Sequence, residues 1–251
     1  MSEHADDAEP LADWHQRVVR RSLKAATKRS IDRGSNLIAA AATLLERSNG
    51  DGFTVQDVAD EAGQSLRTLY QYFESKDDLL LAVFEEAMLT YARMIEKSVS
   101  GLTDPLERLG GALIASVRMS EVSGAGVDRG LARLRLRLSE VEPELVARSQ
   151  APVTSFVRDL VAAAAEAGQI DVPDVEAATY MVLAVKSALI TSRTLGNDTA
   201  VGLPTDLGMA RFCLEGLGGS RDEAWCESVN ARLVLPGARR TRRARASSSS
   251  S

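Results

Sequence analysis

The sequence predicts an all-α protein, with a short three-helix unit at the N-terminal end and a larger helical domain behind it. Three observations carry that prediction. Ala and Leu dominate a chain that is 45% hydrophobic but only 4% aromatic. Apolar residues recur at spacings of three and four along most of its length. No segment has the alternation and flanking turns of a convincing strand. With 251 residues there is room for one or two domains, and a charged fraction of 26% is ordinary for a chain with a sizeable core.

The elements follow in order. Leu37, Ile38, Ala41, Leu44 and Leu45 repeat at helical spacing and stop before Asn49-Gly50-Asp51-Gly52, a turn cluster. Thr54-Val55-Gln56-Asp57 has the pattern of a capping box, in which side chains at the two ends satisfy each other's backbone N–H groups. Val55, Val58, Ala59 and Ala62 form the apolar face of the short helix it opens, and Gly63 closes that helix. Ser65 caps a second short helix over 66–73. Ser75-Lys76-Asp77-Asp78 is another capping box, with two acids at the positive end of the helix dipole. The long helix it opens carries Leu80, Phe84, Ala87, Met88, Tyr91 and Ile95 on one face. Further helices are expected at 105–122, 129–138, 143–168 with a break near Pro152, 173–195, 206–216 and, with weaker patterning, 221–233. Residues 133–138 alternate Arg and Leu, which also suits a strand. The helix is preferred because Leu131, Leu134 and Leu138 share one helical face, and Arg129, Arg133 and Arg137 are spaced by four on another. Gly124-Ala125-Gly126-Val127-Asp128-Arg129-Gly130 resembles a glycine-rich nucleotide loop, but it follows a helical segment rather than a strand and reads as a plain loop.

The net charge of −5 speaks at first against a nucleic-acid partner. Its distribution changes that. Residues 1–13 carry −5, residues 14–76 carry +3 with seven bases crowded between Arg17 and Arg33, residues 77–235 carry −8, and residues 236–251 carry +5. Both ends read as disordered, since like charges and a serine run cannot build a core. The expected organisation is an arm at 1–21, the short three-helix unit at 22–76, a helical domain at 77–235 and an Arg/Ser-rich tail at 236–251. Either basic end segment reads as a phosphate-seeking arm or as a solvated face. The longest uncharged run, 34–45, is too short for a span of about 20 residues, so no membrane is expected. An acidic, polar start without a signal-peptide pattern and only two cysteines point to a reducing, cytoplasmic setting.

Two short helices around a glycine turn are the geometry of helix-turn-helix, in which the second helix enters the major groove of double-stranded DNA. That helix offers Arg67, Thr68, Tyr70, Gln71 and Tyr72. Arg can hold guanine O6 and N7 through two bonds, while Thr and Tyr meet thymine methyls or phosphates. Lys76 adds a charge beside the N–H groups of the next helix start, a phosphate anchor. Leu69 and Phe73 are read as core.

From Leu37-Ile38-Ala39-Ala40-Ala41, through Phe53-Thr54-Val55-Gln56-Asp57-Val58-Ala59 and Gly63-Gln64-Ser65, to Leu66-Arg67-Thr68-Leu69-Tyr70-Gln71-Tyr72-Phe73-Glu74-Ser75-Lys76-Asp77-Asp78-Leu79, the chain resembles the TetR family of one-component transcriptional repressors. The resemblance covers about 50 ungapped residues and combines a turn motif, an aromatic run and a terminal Ser-Lys-acid-acid-Leu. It implies an all-α homodimer, with an N-terminal three-helix helix-turn-helix domain that binds a palindromic DNA operator and a C-terminal helical domain that binds a small ligand and dimerises. It assigns DNA contact to Thr54, Ser65, Arg67, Thr68, Tyr70, Tyr72 and Lys76. Gln64 departs from the small aliphatic residue usual in the family, and either adds a polar contact at the turn or is tolerated there. With Gln71 these complete the candidate DNA-contacting set.

Beyond about Leu80 the resemblance fades and periodicity alone remains. Small residues in 173–195 allow close helix approach, so that helix and 206–216 are the expected dimer interface, as the resemblance also suggests. Met88, Tyr91, Met119, Leu134, Phe156, Tyr180 and Met181 are candidate ligand-pocket residues, and their apolar character points to a hydrophobic effector. Thr179, Lys186 and Arg193 are seven apart and read as a solvated stripe; the alternative makes Lys186 a counter-charge for an anionic ligand. No enzyme is expected, because both histidines, His4 and His15, lie near the N-terminus, away from any core triad or zinc site. No cofactor or metal set is read. The competing function is a helical interaction protein whose helix-turn-helix does not read DNA.

Overall fold

The structure is a computed structural model that describes residues 13–48, 52–122, 125–196, 202–219 and 222–235. Among these residues there are helices and no strand: α1 (Asp13–Arg47), α2 (Val55–Glu61), α3 (Leu66–Tyr72), α4 (Lys76–Ser98), α5 (Pro105–Val122), α6 (Ala125–Val141), α7 (Pro143–Ser149), α8 (Ala151–Glu166), α9 (Val175–Leu195), α10 (Asp206–Gly216) and α11 (Glu223–Ala231). The all-α expectation holds. The serine-rich tail and residues 1–12 of the arm lie outside the described residues.

Caps account for most of the helix starts. Thr54 forms the full capping box with Asp57 at α2. Ser75 accepts the Asp78 N–H at α4, while the Asp78 carboxylate accepts the N–H of Glu74, one residue further back than in a standard box. Asp174, Thr205 and Asp222 cap α9, α10 and α11, which starts α9 and α11 two residues later than the sequence pattern suggests. The expected break in 143–168 falls at Gln150, and Pro152 lies in the first turn of α8, where its missing N–H costs no helical bond. Residues 133–138 are helical within α6.

Two expectations need correction. The arm at 1–21 was read as disordered, yet α1 already begins at Asp13. No proline interrupts Asp13–Arg47, and a helix nucleated by its packed C-terminal half extends at little cost per residue. The glycine-rich segment was read as a loop, but α6 starts at Ala125, so 125–130 are helical; Gly124 lies outside the described residues.

Two apolar clusters organise the chain. The first joins Leu37, Leu45, Phe53, Val58, Leu69 and Phe73 to Leu79, Leu80, Val83 and Phe84 of α4, and draws in Leu134 and Leu138 of α6 and Val146 of α7. The N-terminal head therefore does not close on itself, since its core reaches past residue 76. The second cluster is built around α5, whose Leu106, Leu109, Leu113, Ile114 and Val117 are all fully buried among α4, α8, α9, α10 and α11. Gly110 lets α11 approach, because a Cβ there would stand 3.1 Å from the Trp225 ring. Arg118 of α5 donates to Asp206 and Asn230, and Arg232 grips Glu107 with two bonds at 2.5 and 2.9 Å, tying the last two helices to the centre. By length and composition α9 is apolar enough to cross a membrane; its apolarity is put to use against α5, α6 and α8.

Leu69 is completely buried at the centre of the head. Leu69→Ala is expected to cost about 2–5 kcal/mol, as large-to-small core changes do, measured as a loss of unfolding free energy in urea.

Candidate nucleic-acid interface and ligand cavity

α2 and α3 are joined by a turn in which Gly63 takes φ +62°, a left-handed conformation that costs a side-chain-bearing residue more than glycine. The Gln64 N–H closes the turn on the Ala59 carbonyl at 2.9 Å, and the Ser65 hydroxyl accepts the Thr68 N–H at 3.0 Å. With Leu69 and Phe73 buried beneath, the opposite side of α3 faces outward. Arg67, Tyr70 and Gln71 are exposed there, flanked by exposed Ser65 and Thr54 and half-buried Thr68. Exposing half of a tyrosine ring in Tyr70 (52%) is costly without a partner and useful against bases or sugar.

Three candidates also make contacts within the head. Gln64 donates its side-chain amide to the Arg33 carbonyl at 3.0 Å, so it fastens α1 to the turn. Tyr72 is half-buried, accepts from the Ser30 hydroxyl at 3.1 Å and lies against Gly34. Lys76 directs its ammonium to the Phe53 carbonyl and stands 4.5 Å above the Phe53 ring centroid, so the charge expected as a free phosphate anchor is engaged within the head. Thr54 is shared: it caps α2 and, through its N–H and hydroxyl at 2.6 and 2.8 Å, holds the Asp57 carboxyl below its ordinary range, chiefly by the backbone bond. The same ties set α1 beside α3, and a polar cleft between them is lined by Arg33, Asn36, Gln64, Ser65 and Thr68. Asn36 was not foreseen; the crowded bases upstream of it were the available signal.

A cavity of about 1000 Å³ lies between α1, α4, α6, α8 and α9, with Met119 of α5 at its wall. Met88, Tyr91 and Met119 line it. Four other pocket candidates do not. Leu134 belongs to the head core and Phe156 packs on the second cluster. Tyr180 and Met181 are 72% and 65% exposed. On α9 the residues bordering the cavity include Leu183, Lys186, Ser187 and Ile190; Met181 is on another side of the helix, and Tyr180 precedes the first lining residue.

The solvated stripe on α9 is also overturned. Thr179 and Lys186 are buried, and half-buried Arg193 donates to the Pro204 carbonyl at 2.6 Å. Seven-residue spacing groups side chains on one face, but here that face is packed against neighbouring helices. Lys186 retains only 5% exposure, borders the cavity and has its ammonium 5.5 Å from the Tyr91 ring centroid. Among the described residues no carboxylate pairs with it. Burial, with the nearby Arg135 charge adding to it, pulls its pKa from 10.5 down to about 8. The Tyr91 hydroxyl donates to the Ser116 carbonyl at 2.9 Å, which fixes the ring. Neither thiol is primed for chemistry: burial pushes Cys213 up to about 11 and raises Cys226, away from the reactive thiolate.

A capped helix-turn-helix with an outward polar and aromatic face leads through one long helix to a ligand-sized cavity. Residues 37–83 match the sequence model of the tetR family of bacterial regulatory proteins. The chain is 36% identical over 78 residues to the HTH-type transcriptional regulator HbdR of Aromatoleum sp. (strain CIB), a stretch covering 31% of this chain and 34% of that one. It is 30% identical over 109 residues to the fatty acid metabolism regulator protein of Bacillus subtilis (strain 168), covering 42% of this chain and 54% of the relative. The matched stretches thus span about a third to just over half of these curated relatives. The fold as a whole is similar to that of RolR solved with resorcinol (TM-score 0.61, 22% identity, 84% of this chain and 98% of that one). It is also similar to FadR of Bacillus halodurans (TM-score 0.58, 19% identity, 74% and 99%).

The Lys186 shift sets a stability prediction. The unfolded chain holds the proton more tightly than the folded one, so an unpaired Lys186 costs stability in full below about pH 8, and the cost fades as the pH rises to 10.5. Lys186→Met is expected to stabilise the ligand-free protein by about 3 kcal/mol at pH 7, with the gain gone above the upper value, as read by urea unfolding at both ends of the range.

Proposed function

We propose that the protein is a transcriptional repressor that binds a palindromic operator as a homodimer and leaves it when a small, largely apolar ligand fills the cavity. The observation that carries this reading is the exposed strip of Arg67, Tyr70 and Gln71 on α3, set over a buried Leu69 and Phe73. The basic residues of α1 lie alongside it through the Ser30–Tyr72 and Arg33–Gln64 bonds, and supply the positive field that draws a duplex.

Dimerisation through α9 and α10 is favoured by what those helices leave outside. Tyr180, Met181 and Phe212 are all more than half exposed, on the two helices already chosen for the interface. Such exposed apolar residues mark interaction surfaces when they gather on one face. A two-fold dimer would place its α3 helices against half-sites about 34–36 Å apart, and a ligand that favours another separation lowers operator affinity by its differential binding, typically about 1–3 kcal/mol. The structurally similar RolR is solved with resorcinol and one curated relative is named for fatty acid metabolism. Small apolar molecules also suit a wall of Met88, Met94, Met119, Leu183 and Ile190, since methionine adapts its shape to a ligand. The setting of such a regulator is the cytoplasm.

Footprinting on the DNA flanking the protein's own gene is expected to reveal a protected palindrome; no protection there or on any selected duplex would leave the interaction-protein reading. Arg67→Ala should weaken operator binding by about 1–3 kcal/mol and relax the preference at one base pair, measured by gel shift against single-base operator variants. Phe212→Glu should convert the dimer to a monomer in sedimentation and remove operator affinity together with it; a dimer that survives with full affinity would move the interface elsewhere.

A further inference from the structure

We infer that the ligand of the cavity carries a carboxylate, or an equally compact organic anion, that Lys186 receives at the wall of an otherwise apolar chamber. The inference rests on reading the cavity as the effector site and goes further by naming the ligand's charge.

The argument is one of charge balance at the wall of a cavity partly open to solvent, with exposed Ser35, Glu86 and Thr90 at its border. Lys186 borders the cavity with 5% of its surface exposed. Buried charges are normally paired, and an ammonium left without an anion penalises the fold unless something completes it. The chain supplies no carboxylate partner among the described residues. The other cation bordering the cavity, Arg135 of α6, has the same sign, and the one acid there, Glu86 of α4, is exposed to solvent. What the chain does supply is the Tyr91 ring, 5.5 Å from the ammonium. Its electron-rich face offsets part of the cost but supplies no counter-charge. Ser187, Thr191 and Ser192 also border the cavity from the same helix and offer hydroxyl donors for a second oxygen.

The three possible charge states of a ligand then separate. A cation meets two like charges. A neutral molecule offers at most an uncharged acceptor and leaves the charge of Lys186 unbalanced. An anion turns the penalty into a charge-assisted hydrogen bond in a low-dielectric setting. The volume of about 1000 Å³ is at the upper end of ordinary ligand pockets, so an apolar body of ten or so carbons attached to the anionic head fits the methionine-rich remainder.

The test is calorimetric titration of the full chain with two matched pairs of probes, decanoate against decanamide and 2-naphthoate against 2-naphthamide. Wild type is expected to bind at least one carboxylate about tenfold or more tightly than its amide, the scale of one charge-assisted bond. In Lys186→Met that preference should vanish while amide binding changes little; Lys186→Gln serves as a second variant of similar size. Arg135→Gln should weaken the preference only partly. Equal binding of acid and amide by wild type, a preference that survives both Lys186 variants, or binding of none of the four probes by a protein that binds its operator would each overturn the inference. A gel shift run alongside keeps the two readings apart. If a carboxylate binds through Lys186 but never loosens the operator complex, the ligand assignment stands and the release mechanism proposed above fails.

Discussion

The packing of α4 is the constraint on which the rest of the molecule depends. Leu79, Leu80, Val83 and Phe84 complete the core of the head, Val83, Phe84, Met88, Tyr91 and Met94 face the cavity, and Ile95 with Val99 just beyond enters the core around α5. Val83 and Phe84 belong to the head core and the cavity wall at once. Packed interiors transmit strain, so any displacement of Val83 or Phe84 at the cavity wall reaches the head core through the same side chains. The N-terminal end of α4 is held firmly by the Ser75 cap, the Asp78–Glu74 bond and the Lys76 contact with Phe53. Displacement of α4 therefore carries α2 and α3 as a unit. The second route is α6, which turns Leu131 and Arg135 to the cavity and Leu134 and Leu138 to the head. The Arg137–Asp77 pair that also joins α6 to α4 is half-exposed on both sides, and such pairs contribute little. Coupling in this chain is thus a matter of shared side-chain packing more than of ion pairs.

Charge is sorted along the same axis. The overall −5 hides a head whose bases sit on α1 and α3 and a body that is acidic outside but cationic at its cavity, where Lys186 and Arg135 lie close enough for one to depress the other. Under the proposed function, an acidic body disfavours indiscriminate adhesion to DNA and leaves attraction to a head of modest charge, so operator affinity would come largely from specific contacts and decline with salt in proportion to the few phosphates neutralised.

Much of this was legible in the sequence because caps and turns are local. Thr54, Ser65 and Ser75 announce helix starts through side chains that bond within three residues, and no distant packing is needed to read them. Orientation was less legible. Tyr72 and Lys76 hold positions that a motif assigns to DNA and Gln64 departs from that motif, yet the polar atoms of all three reach Ser30, Phe53 and Arg33, partners brought in by the chain's path and not by proximity in sequence. The reach of α1 to Asp13 was hidden because a run of bases resembles a solvated tail whether or not it is helical. On α9 the difficulty was its apolarity: with Val, Ala, Leu and Ile on every side, the periodic signal that tells the inner face from the outer is weak. Tyr180 and Met181 therefore looked like pocket residues, and Lys186 like part of a wet stripe.

That ambiguity of α9 has a physical counterpart. The helix serves two environments, turning Leu183, Lys186 and Ile190 to the cavity and Tyr180 and Met181 to the outside. Under the proposed pairing its outer face is fixed against a partner, so its inner face becomes the stationary wall of the chamber. Lys186 is on that wall and Met88, Tyr91 and Met94 are on the opposing one, carried by α4. A molecule anchored by its charged end to α9 and pressed by its apolar body against α4 acts between the frame of the dimer and the helix that seats the head. A ligand held by α4 alone would move with it and exert no such leverage. The buried lysine that weakens the empty protein thus stands where an anchor gives a ligand its greatest effect on the spacing of the two reading heads.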